Sequence, residues 1–297
     1  MGFRALVIEE AVKLSYSGGS IDITFSNGER RKDFLGHLST IVVGSPRTYV
    51  SSYLVSECAK KNIPLIFCDD KYMPIGHAIP LFPVHNCART VKKQTNWGTT
   101  IKKQLWRQIV VDKIMKQSEV ADALGYAETA QKLSSLAKEV KTADNSNREA
   151  VASRTYFKEI FEDDFARKRE SEINDCLNFG YSIILSKIAR EIVSHGYSTI
   201  FGIFHDSSAN QWNLGCDFIE PFRPLIDYVI LTTDKPQLNK EMKAKLIGML
   251  EKPVLYKEAE RKLSTVIEMM IRDYLDVLER KKELTELSIY ELPCLKE

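Results

Sequence analysis

The chain has 297 residues, of which 44% are hydrophobic, and a formal net charge of +2. This length and apolar content can bury the core of one large domain or two smaller ones, and we expect two. There is no run of about 18 apolar residues and no apolar N-terminal segment typical of a signal peptide, so we expect a soluble, cytoplasmic protein with no membrane partner. The six cysteines form no Cys-x-x-Cys pair, which argues against a disulfide framework or a zinc ribbon.

The first 80 residues have the pattern of a small β domain. Apolar and polar residues alternate over 12–16 and again over 21–25, and each run is followed by a tight-turn pair, Gly18-Gly19 or Asn27-Gly28. This order is typical of a β-meander. A sheet of this size has exposed edges that another chain can cover, so we expect residues 1–80 to form the contact of a homodimer.

Two more strand-like runs follow, at 38–43 and 63–67, with a predicted helix between them at about 49–61. Prolines then interrupt the pattern, and we assign residues 81–90 to a linker.

Beyond the linker the apolar residues recur at helical spacing. The strongest patterns cover 173–192 and 263–278. Shorter helices are predicted at about 99–116, 127–140, 148–161, 214–231 and 240–250. The predicted fold is therefore α+β, with a small N-terminal β-sheet domain that includes one helix, linked to a larger all-helical domain at 91–297.

One stretch, 89–116, is strongly basic. It contains eight lysines and arginines against one acid, Asp112, with Trp97 and Trp106 among them. Basic side chains bind a polyanion by displacing its counter-ions, and aromatic rings can add stacking. The candidate phosphate contacts are Arg89, Lys92, Lys93, Lys102, Lys103 and Arg107. A solvated helix face with two core tryptophans is the alternative, and a weaker basic cluster lies at 30–32.

A histidine and two acids mark a candidate metal site. Asp217 and Glu220 are three residues apart, so on a helix both carboxylates would leave one face and could share a cation. The polar segment 206–213 would let His205 fold back toward that face. One histidine with two carboxylates suits Mg²⁺ or Mn²⁺ better than structural zinc. Ordinary solvated acids, or acids paired with a base such as Arg223, remain the alternative.

Three segments together carry a family resemblance. They are NLGCDFIEPFRPLID at 213–227, Gly202-x-x-His205 upstream of it, and the helix start NREAVASRTYF at 147–157. In combination they resemble the CRISPR-associated protein 1 family, the spacer-acquisition integrases. The segment GSIDITFSNGERRKDF of the β domain is similar to the version in type II systems. The resemblance covers essentially the whole chain, with the same order of β domain, linker and helical domain.

The resemblance implies a site and a reaction. It places the metal ligands at Glu149, His205 and Glu220, with Asp217 as an additional acid beside the site and Mg²⁺ or Mn²⁺ as the cofactor. Spacing alone does not distinguish Glu149 from the rest of the 40 acids. The implied function is a metal-dependent DNA integrase and endonuclease: a 3′-hydroxyl of a short duplex attacks a phosphodiester at the CRISPR repeat, and water as the nucleophile would give a nuclease.

The resemblance also implies partners. These are double-stranded DNA as prespacer and repeat, a second copy of the chain, and CRISPR-associated protein 2, one dimer of which bridges two dimers of this chain. Further type II adaptation proteins are candidate partners as well. Two other functions remain open. A plain metal-dependent nuclease would cut DNA without joining it, and a non-catalytic DNA-binding protein would bind equally well after Glu220→Ala.

Overall fold

The computed structural model describes residues 4–70, 74–80, 87–161, 167 and 171–291. The chain divides into two compact units: an N-terminal unit, Met1–Thr90 with Ala189–Tyr197, and a C-terminal unit, Val91–Ile188 with Ser198–Glu297. Within the predicted linker, 81–86 lies outside the described residues and 87–90 belongs to a helix.

The first sheet of the N-terminal unit is mostly parallel. Its strands are β1 (Arg4–Ile8), β5 (Leu38–Val43), β7 (Leu65–Cys68) and β8 (Pro74–Ala78), in the order β1-β5-β7-β8. β1, β5 and β7 run parallel, and β8 is antiparallel to β7. All six residues of β5 are buried, as expected of a central parallel strand that is covered on both faces.

The second sheet contains the predicted meander. Its strands are β2 (Lys13–Ser17), β3 (Ser20–Thr24), β4 (Arg30–Phe34) and β6 (Tyr49–Val50), in the order β4-β3-β2-β6. Gly18 and Gly19 join β2 to β3 with φ of 56° and 87°, a conformation that glycine adopts without steric cost. Leu14 and Ile21 point into the core, which also takes Leu54 from helix α1 (Ser52–Lys60).

The C-terminal unit is mainly helical. Its helices are α2 (Cys87–Thr95), α3 (Thr99–Ala123), α4 (Ala127–Lys138), α5 (Arg148–Ile160), α6 (Glu172–Ser194), α7 (Asn213–Ile219), α8 (Arg223–Leu231), α9 (Lys240–Gly248) and α10 (Leu263–Leu278). α2 begins in the N-terminal unit, and α6 ends there. No helix within the described ranges is long and apolar enough to span a membrane.

The predicted α+β class is confirmed, with one difference in the C-terminal unit. That unit is not purely helical, because β9 (Pro253–Tyr256) and β10 (Ala259–Lys262) form an antiparallel hairpin before α10. The turn consists of Lys257 and Glu258, with φ of 51° and 60°. Neither residue is the glycine or asparagine that usually signals such a turn, so the residue pattern did not indicate it.

Helix α3 is the central element of the C-terminal unit. It packs against α4, α5, α7, α8 and α10 and against the 3₁₀ turn at Glu220–Phe222. Because neighbours surround it, α3 buries polar residues as well as apolar ones, among them Asp112, Lys113, Lys116 and Gln117. One of these lysines lies in the candidate site.

Candidate active site

A cavity of about 260 Å³ lies within the C-terminal unit. Its lining includes the three predicted ligands, Glu149, His205 and Glu220, and two cations that contact these acids, Lys113 and Arg223. The remaining lining residues are Trp106, Gln117, Ser153, Phe157, Arg167, Tyr181, Phe204 and Asp227. The structure therefore brings together three side chains that are separated by up to 71 positions in the sequence.

Glu149 is positioned by the start of α5. The Asp144 carboxylate accepts hydrogen bonds from the backbone N–H groups of Arg148 and Glu149, at 2.8 and 2.9 Å. These two bonds satisfy free N–H groups of the first turn and fix where the helix begins. Ser153, one turn later, donates its hydroxyl to Glu149 Oε1 at 3.0 Å. The Glu149 side chain is thus held at the edge of the cavity.

Glu220 follows the end of α7. The residues Glu220–Phe222 form a 3₁₀ turn that leads directly into α8, and Pro221 is accommodated in the first turn, where no N–H donor is needed. Tyr290, which is fully buried, donates its hydroxyl to the Pro221 carbonyl at 2.9 Å. The turn is therefore supported from a distant part of the chain.

Lys113 lies between the two glutamates. Its Nζ donates to Glu149 Oε1 and lies 2.5 Å from Glu220 Oε2. Burial alone would lower the pKa of Lys113, but Glu220 and Glu149 raise it above its ordinary value, so the ammonium is charged. Arg223 donates Nε to the other oxygen, Glu220 Oε1, at 2.9 Å.

The two cations keep Glu220 ionised. Burial would raise the pKa of this carboxyl, but Arg223 and Lys113 lower it to about 2. Its oxygen Oε2 accepts no well-directed hydrogen bond among the described residues, although Lys113 is close to it. Glu220 therefore places a charged oxygen in the cavity, with Lys113 as its counter-ion.

His205 sits at the end of a loop that the Asp217 carboxylate holds. Asp217 is fully buried, and it accepts backbone hydrogen bonds from Ile203 at 2.6 Å, Phe204 at 3.2 Å and His205 at 3.0 Å. It also contacts His205 Nδ1 at 2.8 Å. The loop folds tightly around Gly202: a Cβ at this position would lie 2.2 Å from the His205 carbonyl oxygen.

Asn213, the first residue of α7, holds the other side of the loop. Its Nδ2 donates to the carbonyl oxygens of Ile200 and Ser207, at 3.1 and 3.0 Å. Asn213 and Asp217 are four residues apart, so both leave the same face of α7. Sequence reasoning did not single out Asn213, although this spacing within the motif was a usable signal.

The Asp217 carboxylate also sets the chemistry of the histidine. Its hydrogen bond raises the pKa of His205, against the lowering effect of burial. Because Nδ1 is engaged by a carboxylate, Nε2 is the ring nitrogen left for a ligand, which is the usual arrangement behind metal-binding histidines. Trp106 meets the imidazole edge-on at 5.8 Å and stacks on Phe204 at 4.1 Å.

The two acids of the spacing motif have different partners in the structure. Helix α7 ends at Ile219, and Glu220 begins the 3₁₀ turn. Asp217 contacts the His205 loop, whereas Glu220 pairs with Lys113 and with Arg223. The alternative in which Arg223 pairs with an acid is therefore what the structure shows for Glu220.

The donor set fits a hard divalent ion. Two carboxylates converge on one cationic group, and an imidazole with Nδ1 already engaged lines the same cavity. As the side chains stand, no three His, Cys, Asp or Glu residues of the described ranges are close enough to hold an ion. The Lys113 ammonium takes up the position between the carboxylates.

The basic stretch 89–116 does not form one surface. Arg89, Lys92, Lys93 and Lys103 are exposed and Lys102 is half-buried. Arg107 is half-buried and donates Nε to the Val140 carbonyl at 2.8 Å, while Lys113 and Lys116 are buried.

The two tryptophans of this stretch differ in burial. Trp106 is almost fully buried, and the half-buried Trp97 donates its Nε1 to Glu279 at 3.1 Å. Trp106 therefore fits the alternative of core packing better than that of stacking on DNA, although it reaches the cavity through its stack with Phe204.

The sequence matches the family described as CRISPR associated protein Cas1 over residues 6–268. It is 35% identical over 231 residues to the CRISPR-associated endonuclease Cas1 of Neisseria meningitidis serogroup C (strain 8013), covering 78% of this chain and 76% of that protein. The fold is similar to that of a casposase bound to integration product, with a TM-score of 0.77 and 20% identity over 95% of this chain and 92% of that chain. A chain of a Cas6-RT-Cas1–Cas2 complex is also similar, with a TM-score of 0.74 and 17% identity over 94% of this chain and 35% of that chain. The chain therefore belongs to the CRISPR-associated Cas1 family.

Proposed function

We propose that this protein is a divalent-metal-dependent DNA integrase and endonuclease of CRISPR adaptation that inserts short duplexes at the repeat. The observation that carries the proposal is the convergence of Glu149, His205 and Glu220 on one cavity. Family membership supports the proposal, and so does the likeness to a casposase bound to its integration product. The substrate pair is a prespacer duplex with a free 3′-hydroxyl and a phosphodiester of repeat DNA.

The cofactor would be Mg²⁺ or Mn²⁺, held by the carboxylates of Glu149 and Glu220 and by His205 Nε2. When bound, such an ion lowers the pKa of the attacking hydroxyl and stabilises charge on the phosphate oxygens. The three side chains act as ligands and not as general bases. Asp217 is a positioning residue, because it holds the loop and the ring of His205.

The transfer itself is an exchange of phosphodiester bonds. The 3′-hydroxyl oxygen loses its proton and forms a bond to phosphorus, while the bond from phosphorus to the 3′-oxygen of the repeat strand breaks and that oxygen takes up a proton. Arg223 lines the cavity beside Glu220, and Arg167 lines it as well. Both guanidinium groups can pair with phosphate oxygens there and orient the strand. Water in place of the hydroxyl would give cleavage without joining.

DNA and protein partners belong to the same proposal. The exposed cations of the basic stretch would contact phosphates without base preference, as counter-ion release requires. The open edges of the N-terminal sheets would form a homodimer. The likeness to a chain of a Cas1–Cas2 complex supports CRISPR-associated protein 2 as the bridge between two such dimers. Other type II adaptation proteins would join at surfaces outside the site.

A strand-transfer assay on a repeat-containing plasmid, with CRISPR-associated protein 2 added, tests the function. We expect Glu149→Gln, His205→Ala and Glu220→Gln each to reduce joining by about 100-fold or more, with DNA binding within a few-fold of wild type. Chelation of divalent ions should have the same effect. Glu119→Gln is the matched control, because this acid also pairs with a lysine of α3 but lies outside the cavity.

The outcomes separate the alternatives. Cleavage without joined product would indicate a plain nuclease. Joining that survives both chelation and Glu220→Gln would contradict the metal site. If wild type binds DNA as well as the variants do but neither cleaves nor joins it when divalent ions are added, the protein is a DNA-binding protein without catalysis.

A further inference from the structure

Lys113 raises a question that the proposed metal site leaves open. Its ammonium contacts both glutamates that would bind the ion, and its side chain is only 9% exposed. A buried lysine is normally explained by its acid partners, and here these are the two carboxylates needed as ligands. The lysine and a divalent ion would therefore bind the same oxygens.

The charges of the cavity show the conflict. The carboxylates of Glu149 and Glu220 are already balanced by two cations, Lys113 and Arg223. A divalent ion placed among these groups would add two positive charges next to an ammonium, in a site where burial weakens screening. Arg223 binds the outer oxygen of Glu220, Oε1, whereas Lys113 lies between the two acids. Lys113 is therefore the cation that conflicts with the ion.

We propose that Lys113 is the resident counter-ion of the metal-free site and that a divalent ion binds by displacing its ammonium from Glu149 and Glu220. The inference rests on the proposed function, since it concerns the ion of that site. It assigns Lys113 a positioning role: the ammonium keeps two like-charged acids together until the ion arrives. In this way the protein avoids burying uncompensated carboxylates, which would be costly.

The cavity offers the displaced ammonium a new acceptor. Gln117 lies one helical turn after Lys113 on α3, lines the same cavity and is almost fully buried. Its side-chain oxygen Oε1 has no hydrogen-bond partner among the described residues. Side chains four residues apart on a helix can touch, so a change of Lys113 rotamer would bring the ammonium to this oxygen.

Direct binding of Mn²⁺ to the DNA-free protein, followed by electron paramagnetic resonance, tests the inference without any activity measurement. We expect Lys113→Met to lower the Kd for Mn²⁺ by about tenfold or more, because it removes a competing charge within about 4 Å of the ion. Lys113→Arg keeps the charge and should bind no more tightly than wild type. Gln117→Leu should weaken binding in the wild-type background but not in the Lys113→Met background.

Lys116→Met is the matched control. Lys116 is also buried on α3, one turn from Lys113, but it pairs with Glu119 and lies over the Tyr290 ring at 5.0 Å. We expect its loss to leave the Kd for Mn²⁺ within about twofold of wild type. Thermal unfolding gives a second readout. In a chelator, Lys113→Met should have a lower Tm than wild type, and addition of Mn²⁺ should raise its Tm by more than it raises that of wild type.

The results distinguish this inference from the proposed function. If Glu220→Gln abolishes Mn²⁺ binding but Lys113→Met binds no more tightly than wild type, the inference is overturned and the metal site stands. If wild type does not bind Mn²⁺, or if Glu220→Gln does not weaken binding, both fail. If Lys113→Met does not fold, the other two variants decide. The inference is overturned if Lys113→Arg binds Mn²⁺ more tightly than wild type, or if Gln117→Leu binds Mn²⁺ as tightly as wild type.

Discussion

The histidine side and the carboxylate side of the site are held by different kinds of interaction. The loop that carries His205 is held through its backbone: Asp217 accepts from the His205 N–H, and Asn213 bonds the backbone of Ser207. Glu149 and Glu220 are held by ion pairs to the long, rotatable side chain of Lys113. A network of short side chains and backbone groups allows one arrangement, whereas a lysine can exchange one acceptor for another. The site thus combines one side chain that a rigid network holds with two that a rotatable side chain holds.

The strongest way to disturb the fixed side is Gly202→Ala. The added methyl would lie 2.2 Å from the His205 carbonyl oxygen and 2.7 Å from Asp217 Oδ2, so the loop must move and lose its hydrogen bonds. We expect the free energy of unfolding to fall by about 3 kcal/mol, with loss of strand transfer. Chemical denaturation measures the first effect.

Gly248→Ala is the control for this change, because a Cβ there would meet no atom within 4 Å. Near-normal stability and joining by Gly202→Ala would show that the loop is adjustable, and the contrast between the two sides would be lost.

A second test asks whether neighbouring cations determine if a buried acid is ionised. Glu220 has its pKa lowered by two cations that contact it. Burial raises the pKa of Asp112 to about 7, against the lowering effects of the Gln108 amide, which donates a hydrogen bond at 2.8 Å, and of Lys116. The protonated form of Asp112 is therefore favoured in the folded protein. Its contribution to stability is present below about pH 4 and is lost as the pH rises through 7.

We expect wild type to lose on the order of 2 kcal/mol of unfolding free energy relative to Asp112→Asn between pH 4 and pH 8. Denaturation of both proteins at each pH measures the difference. Parallel pH profiles would mean that the pKa of Asp112 is not raised by folding, and the contrast between Asp112 and Glu220 would be lost.

The smallest effect on stability should come from the surface lysines of the basic stretch, of which Lys102 is half-buried and the others are exposed. Replacing Lys92, Lys93, Lys102 and Lys103 together by alanine should change the free energy of unfolding by about 0.5 kcal/mol or less. It should weaken binding of unrelated duplexes equally and make the salt dependence shallower, by up to about one unit of log-log slope for each phosphate that is no longer bound.

Binding titrations across salt concentrations provide the measurement for these lysines. Lys132→Ala and Lys138→Ala, on α4, serve as surface controls. An unchanged slope would place the DNA path elsewhere, for instance at Arg30, Arg31 and Lys32. Two of these side chains already pair with acids, Arg31 with Glu29 and Lys32 with Asp22.

Local patterns predicted most of the fold. The strand at 38–43 and the helix at 263–278 coincide with β5 and α10, because their apolar residues repeat at the period of the element. Strand β1 was not predicted, since five residues show little periodicity and its pairing with β5 spans about 35 positions. The hairpin of β9 and β10 was missed because its turn lacks glycine and asparagine.

The site was predicted less completely, and for a different reason. A family resemblance, rather than spacing, identified Glu149, and the resemblance to the Cas1 family is confirmed. Lys113 was grouped with the surface cations, because charge can be counted along a sequence but burial on a helix surrounded by neighbours cannot. The separate partners of Asp217 and Glu220 were not predicted, because spacing along one helix does not show which side chains of other elements pack beside each acid.

Tyr290 links the order in which the chain is synthesised to the completion of the candidate site. Its ring stacks on Phe222, and its hydroxyl supports Pro221, 69 positions earlier in the chain. Contacts of such long separation form late, because a long loop must close first. A growing chain on the ribosome therefore lacks the support for the turn that carries Glu220 until residue 290 has left the exit tunnel.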